Sequence, residues 1–159
     1  MNKLLTTVLF FIGLFSFAQE LPITELKDLE ESNISLNELI EGENVVVLSF
    51  WATWCVPCIN ELDAISEVYE EWIEETNVKL IAIATDDTRT KKRIRPLVNG
   101  KGWEYLVLYD DNQDFKRALN ITTLPHTLIV KNQKIVHRRT GYTPGAEEEL
   151  YEIIKDHSN

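Results

Sequence analysis

Metal ligands are scarce in this chain. It has two cysteines, three histidines and one methionine, and the methionine is the initiator. A structural zinc site takes four Cys or His ligands. Beyond Cys55 and Cys58 there is no further cysteine, and His126, His137 and His157 form no H-x3-5-H pair. No metal site is expected. A copper(I)-handling chaperone would have to rely on the two soft thiolates alone, with no methionine-rich or histidine-rich neighbourhood. A peroxidase-like chemistry lacks a separate peroxidatic cysteine. Basic charge is also short: 16 Lys and Arg stand against 26 Asp and Glu, a formal net charge of -10, which repels phosphate and argues against nucleic acid as the main partner. There is no internal repeat, low-complexity tract or domain linker. Hydrophobic residues make up 44% of the 159, enough for one domain with its own core and too many for a disordered chain.

The first 18 residues differ from the rest. Lys3 is their only charged side chain, Leu4 to Phe17 is almost wholly apolar, and Ser16-Phe17-Ala18 offers small residues at the two positions a signal peptidase inspects. Residues 1–18 are therefore expected to be a secretory signal peptide cut after Ala18, and residues 19–159 the mature domain. The apolar run of 14 residues is short for a membrane span, so an uncleaved anchor is the alternative. No cysteine near the cut is available for lipid attachment. Loss of Lys3 takes the formal charge from -10 to -11. A periplasmic or secreted location follows, where disulfides form and persist.

Both cysteines fall in one stretch, Phe50 to Leu62 (F-W-A-T-W-C-V-P-C-I-N-E-L). An apolar run, Val45 to Phe50, precedes it and a helical pattern follows, so the thiols sit where a buried strand gives way to a helix. The first turn of a helix has unpaired backbone N–H groups and partial positive charge, which favour a thiolate, the form that attacks disulfides. A purely structural disulfide is the plain alternative. It would close so short a loop that little unfolded-state entropy is removed.

The rest of the chain reads as a short edge strand over Leu21–Leu29, a second over Ile34–Leu36, and a helical turn from Asn37 to Ile40. A confident strand runs from Val45 to Phe50. A long helix covers Cys55–Thr76, with Ile59, Leu62, Ile65, Val68, Tyr69, Trp72 and Ile73 at helical spacing. Pro57 in its first turn costs no hydrogen bond. Then come a strand at Val78–Thr85, a helix at Thr88–Asn99 broken by Pro96 and ended by Gly100 and Gly102, a strand at Tyr105–Tyr109 and a short helix at Gln113–Leu119. A hairpin of His126–Val130 and Ile135–Arg139 turns at Asn132-Gln133. An amphipathic helix at Ala146–Asp156 closes the chain, with Leu150, Ile153 and Ile154 inward. This order implies an α/β fold with a mixed sheet and helices on both faces.

Trp51-Ala52-Thr53-Trp54-Cys55-Val56-Pro57-Cys58, then Glu61 and the late Leu124-Pro125, resemble the extracytoplasmic TlpA/ResA-like thiol-disulfide oxidoreductases of the thioredoxin fold. The resemblance runs from about Ile23 to the C-terminus. It implies a three-layer α/β/α fold with a central βα insertion, for which Val78–Gly102 has the length. It also implies a cis-proline, Pro125, lying against the Cys-x-x-Cys. Two departures stand out. Thioredoxin proper has a buried Asp in the strand before the motif, where this chain has Ser49. The residue after the proline is often Thr in relatives and is His126 here, a candidate proton carrier on the substrate side. The branch often lacks the Asp and carries a Glu three residues after the second cysteine, which Glu61 matches.

The expected chemistry is thiol–disulfide exchange with no cofactor beyond the Cys55–Cys58 pair. Cys55, the more exposed, attacks; Cys58, buried, resolves; Glu61, partly buried with a raised pKa, takes the proton of Cys58. Trp54, Val56, Pro57, Leu124 and Pro125 would frame the substrate groove. Val56-Pro57 resembles reducing members. The resemblance implies protein or peptide thiol and disulfide substrates, such as apocytochrome c thiols, and a membrane reductase as electron donor. A monomer is expected. A redox-inert thioredoxin-like binding module, like the copper chaperone, is the non-enzyme alternative. Six basic residues, Arg89, Lys91, Lys92, Arg93, Arg95 and Lys101, lie in 13 positions of this acidic chain. They form either a solvated helix face or a docking patch for an acidic partner.

Overall fold

The apolar run before the cysteines folds as the strand Val46–Trp51, buried at every position and paired on both sides. The structure, a computed structural model, describes residues 19–158. The expected signal peptide lies outside the described residues. In chain order the elements are β1 (Glu25–Lys27), β2 (Asn33–Ser35), α1 (Leu36–Leu39), β3 (Val46–Trp51), α2 (Val56–Thr76) and β4 (Lys79–Ala84). Then follow a 3-10 turn (Lys91–Arg93), α3 (Ile94–Lys101), β5 (Leu106–Tyr109), α4 (Asp114–Ala118), β6 (His126–Lys131), β7 (Lys134–Thr140) and α5 (Ala146–Ser158). The strands make one sheet in the order β2-β1-β5-β4-β3-β6-β7. β3, β4 and β5 are parallel; β6, β7, β1 and β2 join antiparallel.

Side chains alternate across a strand, so each central strand feeds two cores. From β3, Val46, Leu48 and Phe50 join α1 and α4 residues such as Leu36 and Phe115 on one face. Val47 and Trp51 join Leu62, Ile65, Tyr69 and Trp72 of α2 with Ile94, Val98, Leu150 and Ile154 on the other. Each fully buried Leu or Ile contributes about 1.5–3 kcal/mol, so the stripe along α2 is what seats the cysteine-bearing helix. Asn77 stops α2 in the left-handed conformation, φ 53°. Trp72 stacks on Tyr151 of α5, ring centres 5.2 Å apart. The Asn132-Gln133 turn has positive φ at both residues, 51° and 61°, as a two-residue hairpin of matching twist requires.

Several expectations change. The strand over Leu21–Leu29 shrinks to Glu25–Lys27. Ile23 is 91% exposed, while Leu21 is buried by pairing its backbone with the hairpin turn at Gln133. Such a short edge element leaves too few alternating positions to mark its ends. Pro96 does not break a helix: α3 begins at Ile94, so the proline occupies its first turn, where its missing N–H has no partner to lose. Gly100 lies inside α3, and Gly102, φ 66°, ends it. Ile73 faces outward, 41% exposed. Four of the six clustered basic residues are ion-paired: Arg89 with Asp87, Lys91 with Glu31 and Asp111, Arg95 with Glu30, and Lys101 with Asp63. Their charge is largely neutralised where it arises.

Candidate active site

Cys55 caps α2 and is disulfide-bonded to Cys58 one turn in, with Cα atoms 5.3 Å apart. Cys55 is 5% exposed and Cys58 is sealed at 0%. Around the bond the surface is apolar: Trp54 is 59% and Val56 66% exposed, Pro57 is exposed and Leu124 half-buried. Pro125 is buried, and the Leu124–Pro125 peptide is cis.

The turn that carries the cysteines is fixed from β4 and from within. Asp86, buried just beyond β4, accepts from the Thr53 backbone N–H at 2.9 Å and from the Thr53 hydroxyl at 2.5 Å. The backbone N–H and hydroxyl of Thr85 both donate to the carbonyl of Trp51, at 2.8 and 3.1 Å. The Cys55 N–H donates to the Ala52 carbonyl at 3.0 Å. Asp86 is not among the residues that the sequence singled out. An acid directly after a buried strand, at the sheet end where the cysteines lie, was the available signal.

Glu61 lies in the buried stripe of α2, between Cys58 and Ile65, and is 0% exposed rather than partly buried. A cross-strand row meets it. Ser49 of β3 pairs with Thr127 of β6, which pairs with Arg139 of β7. Ser49 Oγ donates to Oε2 at 3.3 Å, and Thr127 Oγ1 lies 3.2 Å from Oε1 and 3.4 Å from Oε2. Arg139 Nη2 donates to Oε1 at 2.7 Å. Burial drives the Glu61 pKa up, and the Arg139 guanidinium and the two hydroxyls draw it part of the way back; the net direction is upward. Arg139 was missed, since it is 78 residues away in sequence. Ser49 and Thr127, polar residues in apolar strands, were the visible half of the row.

His126 sits on the other face. It pairs with Phe50, whose side chain points to the α1/α4 core. Arg138 Nη1 lies 3.1 Å from Nε2, and an arginine only donates, so Nε2 is unprotonated. Nδ1–H then donates to Thr140 Oγ1 at 3.0 Å. Burial, with the like charge of Arg138 added, pushes its pKa down to about 4. A proton-carrier role at the cysteine pair is not what this geometry provides. Among the described residues no group of three or more His, Cys, Asp or Glu could hold a metal ion.

Comparison with known proteins places the chain. Residues 17–139 match the AhpC/TSA family. This chain belongs to the AhpC/TSA family. Within the family it is similar to the thiol-disulfide oxidoreductase ResA of Halalkalibacterium halodurans, 33% identical over 82% of this chain and 72% of that protein. It is 32% identical to the ResA of Bacillus thuringiensis strain Al Hakam, over 77% of this chain and 69% of that one. Among solved structures, a thioredoxin-like protein from Porphyromonas gingivalis superposes with a TM-score of 0.76 at 44% identity, covering 87% of this chain and 91% of that one. A putative thiol:disulfide interchange protein DsbE from Chlorobium tepidum superposes with a TM-score of 0.77 at 18% identity, covering 89% and 97%, which speaks to the fold alone. This AhpC/TSA member has the thioredoxin-like α/β fold and is a thiol-disulfide oxidoreductase working through its Cys-x-x-Cys pair.

Proposed function

We propose that this protein is an extracytoplasmic disulfide reductase in which Cys55 attacks, Cys58 resolves and Glu61 is the general base. In the reduced enzyme the Cys55 thiolate, held at the N-terminus of α2, attacks one sulfur of a client disulfide. A mixed disulfide forms and the client's other sulfur leaves as a thiolate. Cys58 gives its proton to Glu61, attacks the Cys55 sulfur, and expels the client's second thiolate. The enzyme ends oxidised, as it stands in this structure, and the client ends with two thiols. A membrane reductase must return two electrons to the pair.

The observation that carries this reading is the sealed carboxylate of Glu61, on the same helix stripe as the sealed Cys58. A buried thiol loses its proton reluctantly, and residues three apart on a helix bring their Cβ atoms to about 5–6 Å. The exposed Trp54, Val56 and Pro57, with Leu124 and the buried Pro125, supply an apolar collar for a client segment. The signal-like pattern of residues 1–18 supports a reaction in the periplasm or outside the cell. Clients would be secreted or envelope proteins, apocytochrome c thiols among them.

The deciding experiment is the reduction potential of the Cys55–Cys58 pair. A value nearer thioredoxin's, about -270 mV, than DsbA's, about -120 mV, supports the reductase. A DsbA-like value would make the protein an oxidant. Mass spectrometry of protein from its native compartment should show Gln19 as the first residue; an intact Met1 form held in the membrane would refute cleavage.

A further inference from the structure

The row that meets Glu61 is not symmetric. Oε1 takes the guanidinium of Arg139 at 2.7 Å together with the Thr127 hydroxyl at 3.2 Å, while among the described residues Oε2 is met by hydroxyls alone, Ser49 at 3.3 Å and Thr127 at 3.4 Å. The two kinds of partner differ in one chemical respect. A guanidinium donates and never accepts, so an oxygen bound to it cannot also carry a proton along that bond. A hydroxyl both donates and accepts, and turns round when the oxygen facing it becomes protonated. Arg139 is held in place independently of Glu61: it lies in β7 opposite Thr127, its Nη1 donates to the carbonyl of Ala146 at the start of α5, and it is largely buried. Its Nε–H is buried with no partner among the described residues, so the fork serves Glu61 and Ala146.

We propose that Arg139 is a positioning residue for the resolution step: by holding Oε1 it leaves Oε2 as the oxygen that receives the proton of Cys58. The inference rests on Glu61 being the base. The step balances simply. The Cys58 S–H bond breaks, its proton moves to Oε2, and Ser49 Oγ turns from donor to acceptor. The Cys58 sulfur then bonds to the Cys55 sulfur as the client thiolate departs.

Other groups act on the site from several elements. Tyr105, just before β5, donates its hydroxyl to the Leu62 carbonyl, and burial holds it protonated. Tyr142, in the loop before α5, donates to Glu147 and is also shifted upward. His137 lies two residues from Arg139 on the same face of β7; burial and the charge of Arg139 lower its pKa, while Glu149 of α5 opposes. Arg139 is the cation in direct contact with the carboxylate.

The test uses glutathione disulfide as the probe and follows release of its second thiol by stopped flow across pH, in wild type, Glu61→Gln, Arg139→Gln, Arg139→Lys and the Glu61→Gln/Arg139→Gln double variant. An opposite charge within about 4–6 Å lowers a carboxylate by one to three pH units. Arg139→Gln should therefore move the midpoint of the resolution profile up by about one pH unit or more, slowing resolution about tenfold below it. The first attack by Cys55 should not change. Arg139→Lys should move the midpoint less, and it carries the test if Arg139→Gln does not fold. In the Glu61→Gln background the arginine substitution should add no further shift. A 13C titration of the Glu61 carboxyl should move in step with the kinetics. If Glu61→Gln resolves at the wild-type rate at every pH, the base role fails and this inference with it. If Glu61→Gln slows resolution but both Arg139 variants keep the wild-type midpoint, the base role stands and this inference alone is overturned. An equal shift in the Glu61→Gln background overturns it as well.

Discussion

Two neighbouring arginines on β7 serve opposite faces of the sheet. Arg139 reaches the α2 face and meets a buried acid; Arg138 reaches the α1/α4 face and meets a buried histidine. Both Glu61 and His126 are pulled out of water, and burial favours the neutral form of each. The arginine opposes burial at Glu61, where the charges are unlike, and reinforces it at His126, where they are like. So the residue type usually associated with titration near neutrality is held neutral there, while the carboxyl of Glu61 is shifted upward from its ordinary value. The partner's sign decides whether the arginine opposes or reinforces the effect of burial at each face.

The largest expected effect comes from removing what the Glu61 face serves. Cys55→Ser should abolish turnover and trap no client. Cys58→Ser should still attack, and should accumulate mixed disulfides visible on non-reducing gels. Equal trapping by both variants would contradict the assigned roles. Next is Glu61→Gln. Resolution near neutral pH should slow by about 10²-fold, the low end for loss of a general base, and recover as pH rises. His126→Gln, on the other face, should leave both kinetic steps unchanged; a comparable slowing there would erase the contrast between the faces.

The comparison sharpens in stability against pH. The folded-state pKa of His126, about 4, lies below its unfolded value of 6.5. Between those values the unfolded chain binds the proton and the folded one does not, so acidification through this window lowers stability. Glu61 runs the other way. Its folded pKa is raised above 4.5, so its contribution is fully present below 4.5 and is lost as pH rises through the raised value. Thermal melts between pH 7 and 4 should therefore show a flatter decline on acidification for His126→Gln and a steeper one for Glu61→Gln. Parallel curves for the two variants would refute the opposed signs. The smallest effects belong to residues outside both faces. Arg95→Ala breaks an exposed pair with Glu30 and should change stability by about 0.2–1 kcal/mol with no kinetic effect.

Much of this was legible in the chain because its strongest signals are local. β3 is an apolar run interrupted only by Ser49, α2 keeps one stripe over its length, and the hairpin turn is flanked by matched strands. The Cys-x-x-Cys could be picked out by type and spacing, and Glu61 and Leu124-Pro125 through the family resemblance. Less legible were features that exist only once distant strands come together. The partnership of Glu61 with Arg139 spans three strands and a helix. Asp86 gains its role only because β4 lies beside β3. β1 is so short that Leu21 and Ile23, both apolar and two residues apart, end with opposite exposure. Pro96 misled for a narrower reason: the same residue ends a helix from within and starts one from its first turn, and the 3-10 turn at Lys91–Arg93 decides which.

The hydrogen bonds that hold the cysteine turn have a further consequence. Asp86 to Thr53, Thr85 to Trp51 and Cys55 to Ala52 involve no sulfur. Reduction of the Cys55–Cys58 bond removes no partner of these hydrogen bonds, so the template for the two thiols does not depend on the disulfide. Under the proposed roles, Cys58 would meet a mixed disulfide on Cys55 as a tethered reactant of high effective molarity, its search already completed by folding. Under those roles a client held by Cys55 would compete against a neighbour that is always present, and its captivity would be short at any client concentration.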